Sequence, residues 1–172
     1  IYLFANDTVL DFYPKFGFLP DEEAQVFFPS SPQQPIPLRR INPDNPKDRA
    51  LLIQSYRHSN PFSAFSMENN EGLLLFYALG PFRHFLYTPP EENAVAILEE
   101  DGDTLFCHEL LGEWSGSLFQ TLNRLTQPHI RKIGLGFTPK DTLPGQIWQP
   151  GEDHLFVLGK KENPFAARKL FF

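Results

Sequence analysis

Proline is spread through the whole sequence at a density that excludes long regular elements. Seventeen of the 172 residues are proline, about twice the average usage of about 5%. Proline has no backbone N–H to donate and fixes its own φ, so it interrupts helices and is kept out of central strands. The chain is therefore predicted to fold into many short elements joined by rigid turns.

The densest proline cluster marks a predicted domain boundary. Residues 29–37 contain four prolines in nine positions, a composition that favours an extended, semi-rigid connector. We therefore predict one unit at residues 1–28, a linker at 29–37 and a second unit at 38–172. The alternative is a long surface loop inside one domain, since loops beyond about 12 to 15 residues are uncommon but do occur.

Helical and strand patterns alternate along the chain. A short helix is predicted over about 8–17, and further helices over 46–58, where Asn45-Pro46 supplies a cap and a first-turn proline, and over 117–126. Asp101-Gly102 between two alternating apolar runs is a strong hairpin signal. Strands are predicted at 1–5, 18–28, 38–41, 73–79, 84–88, 94–99, 104–110, 132–137, 154–158 and 170–172. The predicted class is mixed α+β, with a mostly antiparallel sheet flanked by helices.

Charge and hydropathy exclude several functions. The formal net charge is −6, and an acidic chain lacks the basic surface that nucleic acid requires. The longest apolar runs, such as 73–79, are far shorter than the roughly 20 residues of a membrane helix, and no basic-then-apolar leader opens the sequence. We therefore expect no nucleic-acid partner, no membrane span and a cytoplasmic location.

The cysteine and histidine residues show no pattern typical of a disulfide framework, a reactive thiol or a metal site. A single cysteine, Cys107, rules out an internal disulfide framework and a CxxC zinc site. It is predicted to be a buried, inert thiol, because no electropositive neighbour is evident that would lower its pKa. The five histidines share no metal-ligand spacing. No metal site is predicted.

The most specific pattern lies near the start of the chain. It combines an asparagine directly after a strand-like run, a Phe-Tyr pair and a terminal Gly-Phe. The segment reads Asn6-Asp7-Thr8-Val9-Leu10-Asp11-Phe12-Tyr13-Pro14-Lys15-Phe16-Gly17-Phe18. It resembles the late strand–helix segment of the GCN5-related N-acetyltransferase (GNAT) family, and it implies a GNAT-like fold.

This resemblance implies roles for two residues. In the family the asparagine lies beside the pantetheine arm of acetyl-CoA, and the tyrosine is the usual general acid that protonates the departing CoA thiolate. The resemblance assigns these roles to Asn6 and Tyr13, and a positioned phenol is suited to such a proton transfer. The alternative is purely structural: Asn6 caps a helix, Tyr13 is a half-buried aromatic residue and Gly17 ends the helix.

The resemblance also shows what this sequence lacks. Family members hold the CoA pyrophosphate in a glycine-rich loop several tens of residues before the Asn–Tyr segment, at a helix N-terminus that suits an anion. Only five residues precede Asn6 here. The expectation is a chain that begins near the end of an acetyltransferase domain, with acetyl-CoA bound mainly by upstream residues and the fragment alone inactive.

Residues 38–172 resemble the same fold in outline. At the position of the cofactor loop they carry Leu111-Gly112-Glu113-Trp114-Ser115-Gly116-Ser117, whose glycine spacing differs from the family's and whose carboxylate would repel phosphate. We interpret this half as a degenerate GNAT-like domain without a cofactor of its own. An unrelated α+β accessory domain is the alternative.

Two functions remain open. The first is an N-acetyltransferase, or its C-terminal part, that moves an acetyl group from acetyl-CoA to a primary amine of a small molecule or peptide. The second is a non-catalytic accessory or homo-oligomerisation module that shapes the substrate cleft of an upstream acetyltransferase domain.

Overall fold

Two β-sheets organise the chain. The computed structural model describes residues 2–22, 24–65, 69–90, 93–150 and 154–158. The strands are β1 (Tyr2–Ala5), β2 (Leu19–Asp21), β3 (Ala24–Pro29), β4 (Arg39–Arg40), β5 (Leu86–Thr88), β6 (Ala94–Asp101), β7 (Thr104–Gly112), β8 (Lys132–Leu135), β9 (Ile147–Pro150) and β10 (His154–Val157). The helices are α1 (Pro46–Arg57), α2 (Glu71–Leu79) and α3 (Leu118–Leu125), with 3₁₀ helices at Asp7–Val9 and Tyr13–Phe16.

The sheets are mostly antiparallel, and this confirms the predicted α+β class. The small sheet has the order β1-β10-β2, and both of its pairings are antiparallel. The large sheet has the order β4-β5-β6-β7-β8-β3-β9. All its pairings are antiparallel except that of β7 with β8. The predicted hairpin is also confirmed, because β6 and β7 pair directly through the turn at Gly102, whose φ is +60°.

The two sheets exchange strands. The first three strands follow one another along the chain, as do the last three, and in each triplet the third strand leaves its own sheet. Strand β3 lies between β8 and β9 in the large sheet, whereas β10 lies between β1 and β2 in the small sheet. Each exchanged strand is therefore hydrogen-bonded on both edges to strands from the other end of the chain.

The proline-rich segment is hydrogen-bonded to other parts of the chain. It lies along α3 and the turn that follows it: Ser30 N donates to Arg131 O at 2.9 Å, Gln33 N to Asn123 O at 3.1 Å, and Ile36 N to Arg124 O at 3.0 Å. The strand before the segment and strands β4 to β9 after it share the large sheet. Prolines fit here because the segment docks through every third amide and needs no regular ladder. The linker at 29–37 and the division into units at 1–28 and 38–172 stay predictions.

Apolar side chains cover both faces of the large sheet. Along β6, Ala96 and Leu98 belong to the cluster that contains α3, whereas Val95 and Ile97 belong to the cluster that contains α1 and α2. Successive side chains of a strand point to opposite faces, so the helices flank the sheet on its two sides. Each fully buried leucine or isoleucine in these clusters contributes about 1.5–3 kcal/mol by leaving water.

The predicted start of α1 is confirmed at residue level. Pro46 occupies the first turn and the Asn45 side chain accepts a hydrogen bond from Lys47 N at 2.9 Å. Helix α3 begins with a capping box between Ser117 and Gln120. These side chains satisfy amides that the first turn of a helix leaves without partners.

The strand predictions and the structure disagree at residues 73–79 and 147–150. Residues 73–79, predicted as a strand, lie in α2, whose first turn is capped by the Asn70 side chain accepting from Leu73 N at 3.2 Å. A continuous apolar run has no period to separate helix from strand, and burial of Leu74 and Ala78, four residues apart, supports the helix. Strand β9 was not predicted. The predicted strand at 170–172 lies outside the described residues.

Candidate active site

The segment that carries Asn6 and Tyr13 folds as two 3₁₀ turns instead of the predicted ten-residue helix. The turns cover Asp7–Val9 and Tyr13–Phe16, and Pro14 lies at the start of the second. Proline has no N–H and crowds the preceding turn, so a continuous helix cannot pass through it. The second turn ends at Gly17, whose φ is +84° and whose N–H donates to Pro14 O at 3.0 Å. A left-handed residue at this position favours glycine.

Asn6 caps the first turn immediately after β1. Its Oδ1 accepts hydrogen bonds from Thr8 N at 3.0 Å and from Thr8 Oγ1 at 2.5 Å. Because the oxygen is engaged, the Nδ2 group faces away from these donors. Within the described residues Nδ2 makes no hydrogen bond, and the side chain is exposed. The amide can therefore donate to an external carbonyl.

Tyr13 is held by its ring and not by its hydroxyl. Its ring centroid lies 5.9 Å from that of Phe18 and 5.7 Å from that of Phe156 on β10. Contacts at these separations are typical of stabilising aromatic pairs. No hydrogen bond among the described residues involves the phenol oxygen, and the residue is half-buried. The hydroxyl is thus available to donate to a ligand.

Exposed apolar side chains surround this segment. The Phe12 ring lies 5.4 Å from the Tyr13 ring and 4.9 Å from the Phe16 ring. Phe12, Phe16 and the following Leu19 expose 51%, 60% and 58% of their surface. Clustered exposure of large apolar residues is typical of a ligand or protein contact surface.

The glycine-containing turn at residues 111–117 is closed by its own side chains. Ser117 Oγ accepts from Gln120 N at 3.3 Å, and Gln120 Oε1 accepts from Ser117 N at 3.1 Å. Trp114 Nε1 donates to Leu111 O at 3.1 Å, and Glu113 is exposed beside the turn. The Ser117 and Gln120 amides at this helix N-terminus are therefore already engaged, and the Glu113 carboxylate adds repulsion. The turn does not fit a pyrophosphate.

A loop fills the space where the two parallel strands stop pairing. Strands β7 and β8 pair up to Cys107 and Leu135, after which β7 continues to Gly112. Residues 59–65 contact both sides of this gap. Gly112 N donates to Ser59 O at 3.0 Å, Ala64 N donates to Thr138 O at 2.8 Å, and Lys140 N donates to Phe62 O at 2.8 Å.

A buried amide holds this loop to β7. Asn60, which is 3% exposed, donates from Nδ2 to Glu109 Oε1, while its own Oδ1 accepts from Phe62 N at 2.9 Å and Ser63 N at 3.1 Å. Burial raises the pKa of the Glu109 carboxyl, and the hydrogen bonds from Leu110 N and Asn60 oppose that shift only in part. This contact was not predicted, because nothing in the sequence joins Asn60 to Glu109.

Cys107 is buried, as predicted. Burial raises the pKa of its thiol well above the ordinary value, and the neighbouring Glu109 carboxylate adds to the shift. Nucleophilic chemistry needs the thiolate. The side chain therefore belongs to the core.

The described ranges contain neither a metal-binding cluster nor a membrane-spanning helix. Nowhere in residues 2–22, 24–65, 69–90, 93–150 and 154–158 do three or more His, Cys, Asp or Glu side chains gather in a way that could bind a metal ion. In the same ranges no helix has the length and apolar character needed to cross a bilayer.

The chain is similar to solved structures of other proteins. No protein-family model and no curated protein sequence matches the chain. Eis1 from Mycobacterium abscessus is similar over 90% of this chain, at 15% identity and a TM-score of 0.47. A conserved protein of unknown function from Enterococcus faecalis V583, described as a probable N-acyltransferase, is similar over 90% of this chain at the same identity and TM-score. This chain spans 45% of the first and 44% of the second structure's chain.

Proposed function

We propose that this chain is the C-terminal part of an N-acetyltransferase that moves an acetyl group from acetyl-CoA to a primary amine of a small molecule or peptide. The observation that carries the proposal is the Tyr13 phenol, fixed by its ring between Phe18 and Phe156 while its hydroxyl has no partner among the described residues. A fixed, unengaged hydroxyl is what a proton donor requires.

Asn6 and Tyr13 are suited to contact two different parts of acetyl-CoA, the pantetheine arm and the thioester sulfur. The Asn6 Nδ2 group would donate a hydrogen bond to a carbonyl of the pantetheine arm, and the Tyr13 hydroxyl would supply the proton for the departing thiolate. Acetyl-CoA supplies the activated acetyl thioester when it is bound. The Phe12 ring packs edge-on against the Tyr13 ring, with the ring centroids 5.4 Å apart.

Replacement of Tyr13 by phenylalanine in the full-length protein tests the proposal. Turnover is followed as the release of free CoA thiol from acetyl-CoA in the presence of a panel of primary amines. Loss of a general acid lowers kcat by about 10²- to 10⁴-fold, while the retained ring should leave the melting temperature nearly unchanged.

Two other tyrosines provide matched controls. Tyr77→Phe removes an exposed hydroxyl from a ring stacked on Phe82 and should change neither turnover nor stability. Tyr56→Phe removes the acceptor for Asn70 N at 2.9 Å and should cost about 0.5–1.5 kcal/mol of stability without a selective loss of kcat. Full turnover by Tyr13→Phe, under conditions where chemistry limits the rate, would show that another group supplies the proton.

For residues 38–158 a second, non-catalytic role is supported by a separate observation. The capping box closes the N-terminus of α3, and residues 59–65 occupy the gap between β7 and β8. We propose that this half completes and supports the small sheet without binding a cofactor. Calorimetric titration of the 172-residue chain with acetyl-CoA should give weak or no binding, and micromolar affinity would contradict this role.

A further inference from the structure

Strand β10 supplies contacts to both ends of the candidate catalytic segment. It lies between β1 and β2, with Phe156 opposite Leu3 on one side and Pro20 on the other. His154 and Phe156 are two positions apart, so their side chains lie on the same face of the small sheet. Both point toward the 3₁₀ turns, since each contacts a residue of that segment.

The first contact is made at the beginning of the segment. His154 Nε2 lies 2.9 Å from Asp7 Oδ1, although the two residues are 147 positions apart in sequence. Asp7 directly follows Asn6 and opens the first 3₁₀ turn. The contact therefore joins the start of the segment, next to Asn6, to β10.

The second contact is made at Tyr13. Phe156 is 4% exposed, and its ring centroid lies 5.7 Å from that of Tyr13 with the ring planes 42° apart. Neither 3₁₀ turn contains a buried residue of its own. Such short turns are too weak to hold a side chain in one orientation by themselves. The Tyr13 ring must take its orientation from its aromatic neighbours, which are Phe12, Phe18 and Phe156.

We propose that Phe156 and His154 are positioning residues for the candidate active site, so that the far end of the chain assembles the segment carrying Asn6 and Tyr13. The inference rests on the proposed function for the part that Tyr13 plays in turnover, but the positioning itself is a property of this chain. It makes the catalytic competence of the N-terminal segment depend on the strand at 154–157.

A spectroscopic experiment tests the positioning without any assay of activity. The 172-residue chain is labelled with 3-fluorotyrosine, and the Tyr13 fluorine resonance is identified by its loss in Tyr13→Phe. Phe156→Leu keeps an apolar side chain in the sheet but removes the ring, and it should shift and broaden the Tyr13 resonance. Leu155→Val alters a buried neighbour on the opposite face of β10 and should leave the resonance in place.

A kinetic experiment on the full-length protein tests the consequence. Phe156→Leu should lower kcat by about 10- to 100-fold with little change in KM, because small displacements of a reacting group are costly. In a Tyr13→Phe background the same substitution should lower kcat by no more than about threefold, as expected when the group it positions is already absent. His154→Gln should lower kcat less, since the contact with Asp7 is exposed.

The outcomes distinguish the positioning role of Phe156 from the proton-donor role of Tyr13. An unmoved Tyr13 resonance in Phe156→Leu, with a folded protein, overturns the positioning role whatever the kinetics show. Equal kcat losses with and without the Tyr13 hydroxyl also overturn it, because Phe156 would then act by stability alone. If Tyr13→Phe keeps full turnover while Phe156→Leu still moves the Tyr13 resonance, the proposed proton donor is wrong and the positioning of the segment stands.

Discussion

Val26 of β3 pairs with Leu135 of β8 in the large sheet. The matching relationship in the small sheet joins Phe156 of β10 to Leu3 of β1. Together these pairs describe a reciprocal exchange of strands. Strand β3 lies between β8 and β9 in the large sheet, and β10 lies between β1 and β2 in the small sheet. Neither sheet is complete without a strand from the opposite end of the chain.

The exchange predicts that a break in the proline-rich segment leaves the two pieces associated. A protease site inserted between Gln33 and Gln34, which are exposed, would cut the chain after β3 and before β4. Because β3 buries Ala24, Val26 and Phe28 in the large sheet, the shorter piece should stay bound. Size-exclusion chromatography of the cut protein under native conditions should give one peak that contains both pieces. Two peaks would show that the halves are independent.

Local signals in the sequence predicted much of the fold. Asn45-Pro46 and Asp101-Gly102 act through the conformations of a few neighbouring residues, so α1 and the β6–β7 hairpin could be recognised without knowledge of the rest. The strand predicted at 73–79 is wrong, because tertiary burial decides whether a continuous apolar run forms a helix or a strand.

The strand exchange and the candidate site depend on distant residues. Strand patterns at 18–28 and 154–158 were visible, but no local rule states which sheet a strand joins. Asn6 and Tyr13 were suggested by the resemblance of residues 6–18 to the GNAT segment. Nothing in the sequence indicated Phe156 or His154, whose contacts with that segment arise only when the chain ends meet.

Two glycines with left-handed backbone should differ sharply in their tolerance of alanine. Gly112 has a φ of +91°, and a Cβ there would overlap the Asn93 carbonyl oxygen and lie 3.0 Å from Ala94 Cα. Gly102 has a φ of +60° with no atom within 4 Å of such a Cβ. Gly102→Ala should cost about 1–2 kcal/mol from the left-handed conformation alone. Gly112→Ala should cost clearly more, because backbone must move. Urea denaturation measures both, and equal losses would contradict the steric argument.

Cys107 should be unreactive in the folded protein. Its thiol is fully buried and its pKa is raised well above the ordinary value, so the thiolate that attacks a disulfide reagent is scarce and inaccessible. A thiol-reactive chromogenic disulfide should therefore label the native chain only slowly and the urea-unfolded chain at once. As the sequence has one cysteine, the signal needs no assignment. Rapid labelling of the native chain would show that β7 opens readily or that the thiol is not in the core.

Glu109 should make the chain less stable as the pH rises. Burial raises the pKa of this carboxyl in the folded state. The folded state therefore holds the proton more tightly than the unfolded state. The resulting contribution to stability is fully present below the unfolded pKa and is lost as the pH rises through the folded pKa. Among the described residues no cation forms an ion pair with this carboxyl: it receives hydrogen bonds from the Asn60 amide and Leu110 N, and the adjacent His108 instead lies 2.8 Å from Glu99.

Glu109→Gln isolates this effect, because glutamine keeps an oxygen that accepts from Asn60 and Leu110 N but carries no charge. The variant should be more stable than the wild type at about pH 8, and the difference should shrink toward about pH 5, where carboxyl groups begin to hold their protons. Glu113→Gln, exposed directly after the end of the same strand, removes an equal charge that is already in water and should change stability little at either pH. Free energies of unfolding from urea titrations at both pH values provide the comparison. If the Glu109→Gln and wild-type stabilities run parallel with pH, the carboxyl is solvated and its contact with Asn60 does not hold residues 59–65 in place.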